Sequence, residues 1–258
     1  MNMNPKRMLF MKSNGGASGA SKGGKGTKSQ SAPMVMIQGQ QISQAVIDAN
    51  RGTRDHMSVG QLTWQHIQDD YKRIGVTISE AQAKDIRRAI FNFSYLHDTA
   101  MRKAWELDRA GRPLTFEQKI ELRNYKLCEE YCKVAPTLSS NYAYVYRGIK
   151  FSSTTPEYAQ KLVSLKVGDS WNVDGMPTSF STSLNTAKSF SKTITGTKGI
   201  IVHMPTQGIK NAPSIKGISK YADENEVLVA DYNWKIGSIS DQRTTGDGYY
   251  HMFLEPGN

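Results

Sequence analysis

Residues 142–151 read Tyr-Ala-Tyr-Val-Tyr-Arg-Gly-Ile-Lys-Phe. Aromatic and β-branched side chains alternate there, the two-residue period of a strand that packs on at least one face. The texture that begins here runs to the end of the chain. Ser179–Leu184 (SFSTSL) reads as a short strand followed by a helix from Asn185 to about Ser191. Gly199–Met204 (GIIVHM) and Glu226–Ala230 (EVLVA) are apolar strands, the second preceded by a loop over Gly217–Asn225. Ile236–Ile239 and Tyr249–Leu254 form a closing hairpin around Gly246–Gly248, and Thr155–Pro156 open a short helix through Tyr158 and Leu162.

Upstream the period changes. From Gln61 to Ala135, Leu62, Ile67, Tyr71 and Ile74 recur near helical spacing. Ser79 with Gln82 fits a capping box, followed on one broad face by Ile86, Ile90, Phe93, Leu96, Met101 and Trp105. Gly111, Arg112 and Pro113 break the run. Thr115 with Gln118 opens another helix through Ile120, Leu127 and Tyr131 that stops before Pro136. Helices first and mostly antiparallel strands second make the fold class α+β.

The 258 residues, 38% hydrophobic and 22% charged, can bury a core without disulfides or metal staples. No apolar run approaches the roughly 18 residues that cross a bilayer, so no membrane partner is expected. The net charge of +10 invites a nucleic-acid reading. Six of those charges, Lys6, Arg7, Lys12, Lys22, Lys25 and Lys28, lie within residues 1–32, which hold no acid, leaving +4 for the remainder. Residues 1–40 read as a flexible basic tail rich in Gly, Ser and Lys, and nucleic acid is a partner only through it. Residues 41–258 read as one domain, helical over 41–140 and β-rich over 141–258. Met8–Met11 is too short for the apolar part of a signal peptide. Gly19, Gly24 and Lys25 match most of a phosphate-binding loop, but Gly26 stands where its hydroxyl should be, with no strand before it.

Cys128 and Cys132 lie four apart on a helix, which is not a zinc spacing, and His56, His66, His97, His203 and His251 are scattered, so no metal is expected. The two thiols read as ordinary semi-buried cysteines.

Three polar groups sit where a purely structural strand would not need them: Arg147 in the first strand, Ser181 opening Ser-Thr-Ser, and Glu224 and Glu226 bracketing Asn225 at the mouth of an apolar strand. Taken singly, each reads as a solvated edge residue, a strand-end hydroxyl or a solvent-facing acid. The ordered set Tyr146-Arg147-Gly148, Phe180-Ser181-Thr182-Ser183 and Glu224-Asn225-Glu226 resembles the Arg–Ser–Glu class of mono-ADP-ribosyltransferases. That class includes enzymatic subunits of binary toxins, arginine-specific ecto-enzymes and phage Alt/Mod-type transferases. The resemblance implies an NAD cleft between two β-sheets, with NAD as substrate and no dinucleotide-binding Rossmann motif.

It also implies roles. Glu226 is the catalytic carboxylate, stabilising positive charge on the ribose as nicotinamide leaves. Ser181 orients it, and Arg147 pairs with the NAD phosphates through its guanidinium fork. Gly148, Thr182 and Ser183 complete the NAD-binding stretches. Phe190 is placed like the aromatic that stacks on nicotinamide, though it also reads as a core residue, and Lys192 assists the phosphates. Glu224, two residues before the catalytic acid, goes with arginine acceptors, and Tyr221 is the exposed aromatic of a substrate-recognition loop or, alternatively, a core tyrosine. The implied partners are NAD and a target protein with an accessible arginine, in a host-cell cytoplasm reached from a phage or by an injected or secreted effector. Two other readings stay open: an NAD glycohydrolase of the same fold, and a non-catalytic nucleic-acid or virion-associated binding protein that uses the tail.

Overall fold

The structure, a computed structural model, describes residues 33–139, 141–151, 156–171, 177–193 and 198–257. It opens with a hairpin of β1 (Met34–Ile37) and β2 (Gln40–Ser43), then α1 (Gln44–Asn50) and the short β3 (Thr53–Arg54). The hairpin corrects the tail boundary. Ile37 is fully buried, so ordered structure begins before residue 40; residues 1–32, with the basic cluster and the loop-like glycines, lie outside the described residues.

The helical layer follows: α2 (Trp64–Arg73), α3 (Glu80–Asn92), α4 (Asp98–Arg109) and α5 (Phe116–Val134). Both expected capping boxes form, Ser79 accepting from the Gln82 amide and Thr115 from the Gln118 amide. A third, Thr63 with His66, starts α2. The run from Ile86 to Trp105 is not one smooth helix, because a π-helical turn at Phe93–His97 separates α3 from α4. Such a turn widens the helix by a residue and rotates the side chains that follow.

The strands are β4 (Thr137–Leu138), β5 (Tyr144–Ile149), β6 (Ser170–Trp171), β7 (Thr178–Ser181), β8 (Ile200–Pro205), β9 (Glu226–Val229), β10 (Trp234–Asp241) and β11 (Tyr250–Pro256), with α6 (Pro156–Ser164) and α7 (Leu184–Ser191) between them. Among the described residues, seven form one sheet in the order β6-β10-β11-β8-β5-β7-β9, antiparallel except between β11 and β8. The expected two-sheet division survives as a weak joint. β5 pairs with β8 along six residues, but with β7 only at Tyr146 and Ser181.

β9 lies between two cores. Leu228 belongs to the helical one with Ile67, Tyr71, Ile86, Ile90 and Tyr125. Val227 and Val229 belong to the sheet core with Val145, Phe180, Val202 and Trp234. Alternate side chains of a strand point to opposite faces, so Glu226 shares the face of Leu228. On that side α5 presents Cys128 and Cys132, both fully buried rather than semi-buried. Burial, reinforced by the Glu226 charge, pushes the Cys128 thiol far above its ordinary range, so it is unreactive. No helix among the described residues is long and apolar enough to cross a membrane.

Candidate active site

Tyr146, Ser181 and Glu226 are Cα partners across β5, β7 and β9, so the three sequence motifs meet on neighbouring strands. Ser179 ties them together. Its hydroxyl donates to Glu226 Oε1 at 2.5 Å, and its carbonyl accepts from Arg147 Nη1 at 2.8 Å. The guanidinium and the buried carboxylate are thus joined through a single residue. Ser181, expected beside Glu226, donates to the backbone carbonyl of Glu224 at 2.5 Å and accepts from the Ser183 amide at 2.9 Å, and the serine hydroxyl on the Glu226 carboxylate is that of Ser179. Two serines two apart on one strand share a face, and only the register against β9 decides which reaches the carboxylate.

The acid pair is separated by a turn. Tyr221 leads into a 3₁₀ turn at Ala222–Glu224, and Asn225 takes the left-handed conformation with φ 45° before β9 begins at Glu226. Asn is among the few non-glycine residues that tolerate this backbone. Lys216 Nζ donates to its Oδ1 at 2.7 Å and fixes the turn from the side. Glu226 is 5% exposed. Glu224 is half-buried, and that burial raises its pKa above the ordinary carboxylate value.

Gly148 is a point of close backbone approach. A Cβ there would lie 1.8 Å from the Ala187 carbonyl oxygen and 2.9 Å from the Ser191 amide, so the glycine lets α7 pack flush on β5. Ser183 caps α7 by accepting from the Thr186 amide at 3.2 Å. Phe190, on the same helix, is 47% exposed, which removes its core reading and leaves its ring accessible. Lys192 is exposed at the helix end. Tyr221 is 41% exposed, its ring 6.3 Å from that of Tyr95.

One further residue was not legible. His56 follows β3, which is held to α2 by Arg54 and the buried Asp70. Its Nε2 lies 2.9 Å from Thr182 Oγ1 and its Nδ1 2.5 Å from Ser214 Oγ. Ser214 bridges Val227, and the Ile215 amide donates to the Glu226 carbonyl at 3.0 Å. Burial, with the Lys216 charge adding, lowers the His56 pKa to about 4. It is neutral at neutral pH, with one ring nitrogen donating and the other accepting. His56 therefore cross-links the Ser-Thr-Ser turn to the segment beside β9.

No group of three or more potential metal ligands occurs among the described residues. No protein-family model matches the chain, and no curated protein does. Solved structures do. An ADP-ribosyltransferase from Clostridium botulinum is 13% identical with a TM-score of 0.48, over 79% of this chain and 100% of that one. The Vis toxin, an ADP-ribosyltransferase from Vibrio splendidus, is 18% identical with a TM-score of 0.46, over 79% and 88%. ADP-ribosyltransferase HopU1 of Pseudomonas syringae is 14% identical with a TM-score of 0.47, over 83% and 88%.

Proposed function

We propose that this chain transfers ADP-ribose from NAD to arginine side chains of a target protein, releasing nicotinamide. The observation that carries the reading is the chain of contacts from Arg147 through Ser179 to Glu226, with Glu224 one turn away. The donor set suits a dinucleotide. Arg147 offers a fork for paired phosphate oxygens, Glu226 a buried carboxylate for a ribose hydroxyl, and Phe190 an exposed ring for stacking. Lys192 adds a cation at the end of the same helix, Thr182 and Ser183 set the turn between β7 and α7, and Gly148 seats α7 against β5. Residues 41–140 act as the scaffold and 141–258 carry the chemistry, in a host-cell cytoplasm where NAD and protein arginines coexist.

NAD supplies an activated ribosyl group: its bond to nicotinamide breaks as a bond to an arginine nitrogen forms. Glu226 faces the ribose carbon as positive charge grows there, and its fixed charge acts mainly on the transition state. Ser179 holds that carboxylate in one rotamer. Glu224 pairs with the incoming guanidinium and takes its proton as attack completes; its raised pKa makes it a better base than a solvated glutamate. Tyr221 offers the ring against which the acceptor side chain lies.

Incubation with labelled NAD and a guanidino acceptor tests this. Glu226→Gln lowers both transfer and NAD hydrolysis by about 10²–10³-fold. Glu224→Gln loses transfer to arginine and retains hydrolysis. Transfer by Glu226→Gln within about tenfold of wild type, or equal loss of both activities in Glu224→Gln, overturns the assignment.

A further inference from the structure

A groove of about 440 Å³ lies between the start of α2 and one face of α3. Lys84, Arg87, Arg88 and Phe91 line it at helical spacing, facing Thr63, Trp64 and Gln65. Among the described residues no carboxylate lines it. Lys84 sits over the Trp64 ring, 5.6 Å from its centroid, and its pairing with Glu80 is an exposed one of the kind that contributes little. Cations over aromatic rings in a concave site suit an anionic segment with an apolar side chain to bury.

Two features connect this groove to the acid pair. The first is backbone. Arg87 Nε donates to the Leu62 carbonyl at 2.9 Å, and the Gly60 and Leu62 amides donate to the Gly217 carbonyl at 2.9 and 3.4 Å. A Cβ on Gly217 would lie 2.8 Å from Leu62 Cβ, so the loop that carries Tyr221 and Glu224 rests directly on the groove's wall. The second is a ladder of rings. Phe91 lies 6.0 Å from Tyr95, and Tyr95 lies 6.3 Å from Tyr221. Tyr95 belongs to the π-helical turn, whose extra residue sets its angle, and Lys220 Nζ sits 3.6 Å above its ring. From the groove's cations the contacts lead through Phe91, Tyr95 with Lys220 over it, and Tyr221, and the turn after Tyr221 carries Asp223 and Glu224.

We infer that this groove is a docking site for an acidic segment of the target protein that lies a few residues from the acceptor arginine. The inference rests on the transferase reading for what happens at Glu224, though not for the binding itself. The two ring steps span at most about 12 Å, which an extended chain covers in about four residues or fewer. The alternating sign selects the occupant. A peptide that is acidic and then presents an arginine complements both ends, while a polyphosphate strand would be repelled at Asp223 and Glu224.

The test has a binding arm that needs no turnover. The full chain is titrated into a fluorescein-labelled peptide of eight glutamates around one phenylalanine, read by anisotropy. Binding that weakens at least tenfold in Lys84→Gln/Arg88→Gln, and weakens with added salt, is expected. Absence of binding, binding that the double variant leaves unchanged, or tighter binding of a single-stranded oligonucleotide through the same two residues overturns the proposal. The second arm compares two acceptor peptides, each with one arginine, carrying five glutamates or five serines four residues away. In the wild type, the glutamate peptide has a KM at least tenfold lower; in the double variant the two converge, with turnover of free arginine unchanged. A preference that persists in the double variant overturns docking. A wild type that binds the acidic peptide but modifies neither acceptor counts against the transferase reading and leaves the docking site standing.

Discussion

The sheet has two unlike banks. From β6 to β5 it is a frame of paired strands whose buried members are mostly apolar, among them Val145, Ile200, Val202, Ile236, Met252 and Leu254, with His203 and His251 as a buried polar pair. From β7 to β9 it is a two-stranded wing carrying Ser179, Ser181 and Glu226, joined to the frame at one residue pair. The frame is held by area removed from water, which is non-directional and tolerant of small changes. The wing shares the frame's core through Phe180, Val227 and Val229, while its polar groups Ser179, Ser181 and Glu226 depend on specific hydrogen bonds, which are directional and fail one at a time.

The largest expected effect tests where the chemistry resides. Glu226→Gln lowers turnover by about 10²–10³-fold, the scale of losing a preorganised charge, while thermal unfolding stays close to wild type. A collapse in stability would make Glu226 a structural residue. Next comes the contact between frame and α7. Gly148→Ala drives a methyl into the Ala187 carbonyl, at a cost of about 3 kcal/mol by denaturant unfolding; a neutral result would mean that α7 shifts easily. A smaller and more discriminating effect separates the two serines. Ser179→Ala lowers turnover by about tenfold, whereas Ser181→Ala, which frees the Glu224 carbonyl, raises the acceptor KM more than it lowers NAD hydrolysis. Identical kinetic signatures would erase the distinction between them.

The smallest effect concerns pH. His56 and His203 are both held near a pKa of about 4, mainly by burial. The unfolded chain binds those protons first, so stability is full above about pH 6.5, the ordinary histidine value, and declines as pH falls toward 4. Each contributes of order 1–2 kcal/mol after solvent screening. His56→Gln should flatten part of that decline. The acid limb of arginine transfer should also lie above the ordinary carboxylate range, reflecting Glu224, and should shift when that residue is changed.

Local chemistry made much of this legible from sequence. The capping boxes at Ser79 and Thr115 close within three residues, the strand at Tyr144–Ile149 shows its own alternation, and the acids around Asn225 stand out because they interrupt an apolar strand. What stayed hidden depends on long-range register. Ser179 and Ser181 are equivalent until β9 is laid beside them. His56 meets Thr182 from 126 residues away, and nothing near it in sequence signals that contact. The π-helical turn at Phe93–His97 falls in a stretch whose apolar spacing fits an ordinary helix equally well.

A joint with one rung has a mechanical corollary. Opening it sacrifices little of the ladder, since the next strands over are paired along six residues and four. What ties the two banks lies off the ladder: the Arg147 guanidinium on the Ser179 carbonyl, and the core that Phe180, Val227 and Val229 share with Val145, so the spacing of guanidinium and carboxylates is set by that contact and that packing more than by strand pairing.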